Sequence, residues 1–217
     1  MSAGLIMPAY QILDPLPVKQ FVSSLFDTSA LSAYTISVDT GLPSPQRCIL
    51  VMCSSNVTPV GLSGTIGGVA ITWVSSVSNS VSWCGIGIAR VPSGLGAQNV
   101  VVSLGTSAAY CTVATYRLYN VRSIAAAFTA SSTANPGSTT INVPKNGLLF
   151  ANAREGNVSS TYTWTGVLED YDTDVTGQSR STSGGSYQAI EAETARGVVA
   201  TRASNGNNYV MGAASFR

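Results

Sequence analysis

The sequence predicts an all-β fold, an antiparallel β-sandwich of jelly-roll-like character with an extended N-terminal arm. Three observations predict it. Turn formers recur about every 8–12 residues, the cadence of a sandwich or barrel. The segments between them alternate apolar and polar with the period of two that a half-buried strand requires. Only 10% of residues are charged, against about 25% in an ordinary soluble domain, so Ser, Thr, Asn and Gly must supply the polar surface.

Residues 1–26 read as the arm. Pro8, Pro15 and Pro17 interrupt an apolar stretch, and proline removes ladder donors and blocks helix. Leu5, Ile6, Tyr10, Ile12, Leu13, Leu16, Val18 and Phe21 need burial. They are the candidate contact residues for a neighbouring subunit, with the domain's own sheet edge as the alternative. Residues 27–217 read as one sandwich domain, long enough to bury a core without staples.

Within that domain, residues 33–39 alternate, placing Tyr34, Ile36 and Val38 on one face. A turn at Gly41, Pro43 and Pro45 precedes residues 47–54, which are apolar on both faces as a central strand would be. The Gly67-Gly68 pair inside residues 64–74 reads as a tight hairpin. Strands are expected at 81–91, 99–104 and 110–119, then at 139–143, 147–153 and 162–165. The set closes with 187–194, 198–203 and 209–216. Helix propensity competes only around 190–196, where Glu191 and Glu193 still alternate as an exposed strand face would. No solenoid repeat of fixed period is present.

Function classes fall away in turn. Lys plus Arg number 11 and Asp plus Glu 10, so the basic footprint of a nucleic-acid binder is missing. No apolar run approaches the roughly 18 residues of a membrane span. The N-terminus lacks the pattern of a secretory signal, so cytoplasmic synthesis is expected. The chain contains no histidine, which removes Ser-His-Asp and Cys-His catalysis, and no enzymatic activity is expected. Gly64 to Gly68 has no following Gly-Lys-Ser/Thr and is no phosphate loop.

The acidic run Glu169, Asp170, Asp172 and Asp174 reads as a solvated loop, without EF-hand spacing. Trp73, Trp83 and Trp164 read as core or rim rather than as a sugar platform. No metal or cofactor is expected. Cys48, Cys53, Cys84 and Cys111 read as small buried hydrophobes, with disulfides formed after release from the cell as the alternative. The odd spacing of Cys48 and Cys53 puts them on opposite strand faces, so they cannot bridge each other.

A set of short motifs runs in order along the domain: TIGGVA at 65–70, GIGIARVPSG at 85–94, NVVVS at 99–103, YRL at 116–118, WTGVLEDYD at 164–172 and GAASF at 212–216. In that order they resemble a β-sandwich domain that recurs in virion proteins of tailed phages, particularly phages of alphaproteobacteria. The resemblance covers about residues 27–217; the proline-broken arm and the four cysteines depart from it. It implies a capsid, neck or tail component of the virion without catalysis, partnered by copies of itself and by other virion proteins such as a major capsid, tail or neck protein. The short single-domain chain, without a stalk, points to capsid decoration. A receptor-binding module for host surface glycan is the alternative.

Overall fold

The computed structural model describes residues 15–156, 159–175, 177–178, 180–203 and 208–217. Among them every regular element is a strand. The first half contributes β1 (Val18–Asp27), β2 (Leu31–Asp39), β3 (Cys48–Ser55), β4 (Ser63–Ile66), β5 (Val69–Ala70), β6 (Thr72–Asn79), β7 (Ser82–Arg90), β8 (Ala97–Ala108) and β9 (Cys111–Tyr119). The second contributes β10 (Phe128–Ser132), β11 (Gly137–Val143), β12 (Leu148–Glu155), β13 (Tyr162–Thr165), β14 (Leu168–Val175), β15 (Arg180–Gln188), β16 (Glu193–Arg202) and β17 (Tyr209–Phe216).

The all-β antiparallel expectation holds, but one sandwich becomes two. An inner sheet ordered β1-β9-β3-β7-β6 packs on an outer sheet ordered β2-β8-β4-β5. A second inner sheet, β10-β17-β12-β15-β14, packs on an outer sheet, β11-β16-β13. The two halves have the same strand order, that of a jelly roll. Detail repeats as well. Cys48 pairs with Leu118 and Arg90, and its counterpart Leu148 pairs with Phe216 and Gln188. The β6–β7 register slips between Trp73 and Ser75, and the β14–β15 register slips at the matching place, between Glu169 and Tyr171.

The same squeeze recurs beside each bulge. A Cβ on Gly87 would lie 2.4 Å from Ile71, and one on Gly185 would lie 2.3 Å from the Leu168 carbonyl and 2.9 Å from Val167. Ile71 and Val167 are where each half crosses from outer to inner sheet, so both crossings demand glycine on the strand beneath.

The inner sheets face each other, making four layers with three apolar interiors. Ile49, Val51 and Cys53 of β3 point into the first sandwich. Cys48, Leu50 and Met52 point the other way, onto Leu148, Phe150 and Phe216 of the second. Leu149, Ala151 and Ala153 then fill the second sandwich. Burial on both faces explains why residues 48–53 of β3 and 148–151 of β12 are continuous apolar runs rather than alternating ones. Across the middle layer, β6 lies over β10 and β17, and β1 over β14. This reversed order relates the halves by an approximate twofold axis along the strands, so equivalent turns of both halves fall at the same end.

Two sequence expectations need correction. Residues 18–26, assigned to the arm, form β1, which pairs along β9 from Val18↔Tyr119 to Asp27↔Cys111. Proline precedes this strand without interrupting it. The acidic run, expected as a loop, is edge strand β14, where charge on an unpaired edge discourages further pairing. A smaller difference lies at 189–192, a turn where continuous strand was expected.

Candidate functional site

At one end of the stack lie the turns that open β3, β8, β12, β14 and β16. Pro15, Pro17, Asn120, Asn146 and Arg217 line a common hollow there. Their convergence places the start of β1, the turns of both sandwiches and Arg217 at the same end.

Arg47 builds the first half of this end. It is fully buried, and each of its five guanidinium N–H groups donates to a backbone carbonyl. Nε reaches Val91 O at 2.8 Å. Nη1 reaches Thr40 O at 3.1 Å and Gly41 O at 2.9 Å, and Nη2 reaches Ser93 O at 2.5 Å and Gly94 O at 3.0 Å. Five carbonyl dipoles converge on one cation and fix the β2–β3 and β7–β8 turns together. The Thr40 amide, donating to Gly96 O at 2.9 Å, ties the turns again. Among the side chains they present are two large aliphatics: Leu42 is 73% exposed and Leu95 68%.

A different arginine fixes the second half. Arg196 Nε donates to Gly166 O at 2.7 Å, and Nη1 pairs with Glu193 at 2.6 Å. The guanidinium stacks 3.4 Å from the Tyr187 ring centroid, and the Tyr187 hydroxyl donates to the other Glu193 oxygen at 2.6 Å. The Tyr187 hydrogen bond, then Arg196, hold the Glu193 carboxyl below its ordinary value. These turns also carry apolar tips, Leu168 at 73% and Ile190 at 78% exposure. With Leu16 exposed beside Pro15, this end gathers aliphatic side chains on turns that cannot easily move.

The predicted contact residues divide. Leu16 is exposed at this end. Phe21 is instead an internal contact, stacked on Tyr171 (5.9 Å between centroids) and edge-on to Tyr116 (5.3 Å). Leu5, Ile6, Tyr10, Ile12 and Leu13 lie outside the described residues.

Strand β1 is further fastened to the second sandwich. Lys19 Nζ donates to Ser186 Oγ at 2.7 Å, and Ser186 Oγ donates to Asp170. The Tyr116 hydroxyl donates to the same Asp170 oxygen at 2.9 Å. A Lys-Ser-Asp row suggests a nucleophile, but Ser186 is fully buried and no substrate reaches its Oγ. Asp172 and Asp174 of β14 also serve structure. Asp172 accepts from the Tyr162 amide (2.8 Å) and Asp174 from Ser159 Oγ (2.7 Å). Among the described residues no cluster of three or more metal-ligating side chains occurs.

Trp83 is fully buried with Trp73 edge-on to it at 5.9 Å, and half-buried Trp164 donates to Ser183 Oγ at 2.8 Å. All four cysteines are free and buried, with Cys48 and Cys53 on opposite faces of β3. Burial raises the thiol pKa of each, so little thiolate forms. Thiol titration of the native protein with a disulfide reagent is expected to find none reacting within minutes and all four after unfolding. A fast-reacting thiol in the native protein would contradict this burial.

The sequence does not single out Leu42, Leu95, Leu168, Ile190, Arg47 or Arg196 as candidate site residues. A signal existed for two of them: Leu42 between Gly41 and Pro43, and Leu95 between Gly94 and Gly96, are large aliphatics set among turn formers. No protein-family model matches the chain, and no curated protein matches it significantly.

Proposed function

We propose that this protein is a structural component of a tailed-phage virion, a capsid decoration or other surface accessory protein. It acts by packing against copies of itself and against other virion proteins, without catalysing a reaction. The observation that carries the reading is the clamped apolar turn end. Exposed aliphatics on mobile loops would lose entropy on docking, whereas turns already fixed by Arg47 and Arg196 dock at lower cost. The charge-poor composition, near-neutral at +1, supports the same role, since little repulsion keeps copies apart. The resemblance of the ordered motifs supplies the virion setting. The glycan-binding alternative gains no support from the tryptophans, which are buried or half-buried.

The test is composition and imaging of particles from the phage that encodes the chain. Mass spectrometry should find the protein in many copies per particle, and cryo-EM should place it at regular positions on the surface. Particles lacking it, or cleavage of a host polysaccharide by the purified chain, would overturn the reading.

A further inference from the structure

We infer that this protein pairs with a second copy along the flank that carries β6 and β10, through a twofold axis parallel to the strands. The inference rests on the packing role proposed above and names the partner of one further surface.

The flank is a step. Ser75 and Val77 of β6 lie over β17: a Cβ on Gly212 would stand 2.9 Å from Ser75 Oγ and 3.5 Å from Val77, and Val77 packs on Val210. Strand β10 is the next one out from β17, so it projects past β6 by about 5 Å, one strand spacing. Ala130 turns into the second sandwich, so its neighbours Thr129 and Ser131 turn towards the layer of β6. Both are exposed there, and with Val74, Ser75 and Ser76 they line a groove.

What fills this groove is one strand wide and uncharged. Neither β6 nor β10 carries a charged side chain or a proline, the residues with which an edge strand turns a partner away. The opposite flank is guarded. There β14 carries Glu169, Asp170, Asp172 and Asp174, which would repel a copy of themselves.

The shape selects a second copy. A half-turn about an axis parallel to the strands brings the partner's projecting β10 level with β6, and the partner's β6 level with β10. Each ledge then fills the other's step, and Thr129 and Ser131 of the two copies face each other across the axis. A single extended segment, the chain's own first residues included, fills the groove beside β6 and leaves the outer edge of β10 bare. Those first residues also depart from β1, at the far edge of the β6 sheet. A second copy covers both edges through one contact made twice.

Analytical ultracentrifugation of the full chain should find a dimer. Thr129→Lys with Ser131→Lys should weaken it at least about 10-fold, because lysine on an edge opposes pairing. Circular dichroism should be unchanged, since both positions are exposed. Single cysteines fix the geometry, the four native thiols being buried. A short bismaleimide should join Ser131→Cys chains, close to the axis, into dimers and leave Ser76→Cys chains unjoined. A wild-type monomer, a dimer indifferent to the lysines, Ser131→Cys chains that stay single, or Ser76→Cys chains that are joined would overturn the pairing. A monomer still found in many copies on particles overturns the pairing and leaves the packing role standing; a flank dimer absent from every particle keeps the pairing and defeats that role.

Discussion

Replacing Arg47 by methionine is expected to lower the unfolding free energy by about 3–5 kcal/mol, the range for removing one member of a buried charged network. Methionine fills similar space but donates nothing. The carbonyls of Thr40, Gly41, Val91, Ser93 and Gly94 lose their shared donor. Hydrogen bonds to a charged group contribute about 1.5–3 kcal/mol each; water can replace some of those facing the solvent side of the turns, so the five do not simply add. Lysine should recover less than half the loss, because a point charge with three donors cannot match a planar fork with five. Urea denaturation measures both variants. A methionine variant within 1 kcal/mol of wild type would show that the turns hold without the clamp.

The second large effect is expected at Phe150. Its ring is fully buried in the layer between the sandwiches, edge-on to Tyr116 at 5.0 Å and to Phe216 at 6.1 Å. Phe150→Ala should cost about 3–5 kcal/mol through lost burial and the cavity left behind. The loss should fall on both halves, since the layer belongs to both. Native-state hydrogen exchange should therefore show the amides of β7 and β15 losing protection by the same factor. If β15 alone loses protection, the sandwiches are separate folding units that happen to touch.

Much of the first sandwich is legible in the sequence because its signals are local. The Gly67-Gly68 hairpin, the alternation of Tyr34, Ile36 and Val38, and the two-faced apolar run at 47–54 each report their surroundings directly. The duplication is not legible, because equivalent positions share burial rather than identity. Met52 stands where the second half has Asn152, whose side-chain amide donates to Cys53 O at 3.2 Å, and Trp73 stands where it has Glu169. A clue remained in the chain, for residues 147–153 repeat the two-faced apolar character of 47–54. Two such strands are more than one sandwich can bury.

The misread segments share another cause. Strand β14 is acidic because it is an edge, and edges take charge that central strands cannot. Strand β1 follows two prolines that end before it starts. The turn end depends on tertiary structure alone. Nothing near Arg47 in sequence names Val91 or Gly94 as its acceptors, and only the fold brings Leu168 and Ile190 to the end that carries Leu42 and Leu95.

The most direct measurement on the central claim, that the turn end is the surface covered by other subunits, is hydroxyl-radical footprinting of assembled and dilute protein. Leu42, Leu95, Leu168 and Ile190 should be readily oxidised in the dilute chain and protected several-fold on assembly, while Val60 and Val81, at the opposite end, stay as reactive as before. Protection of Val60 and Val81 with the four tips unchanged would contradict the account.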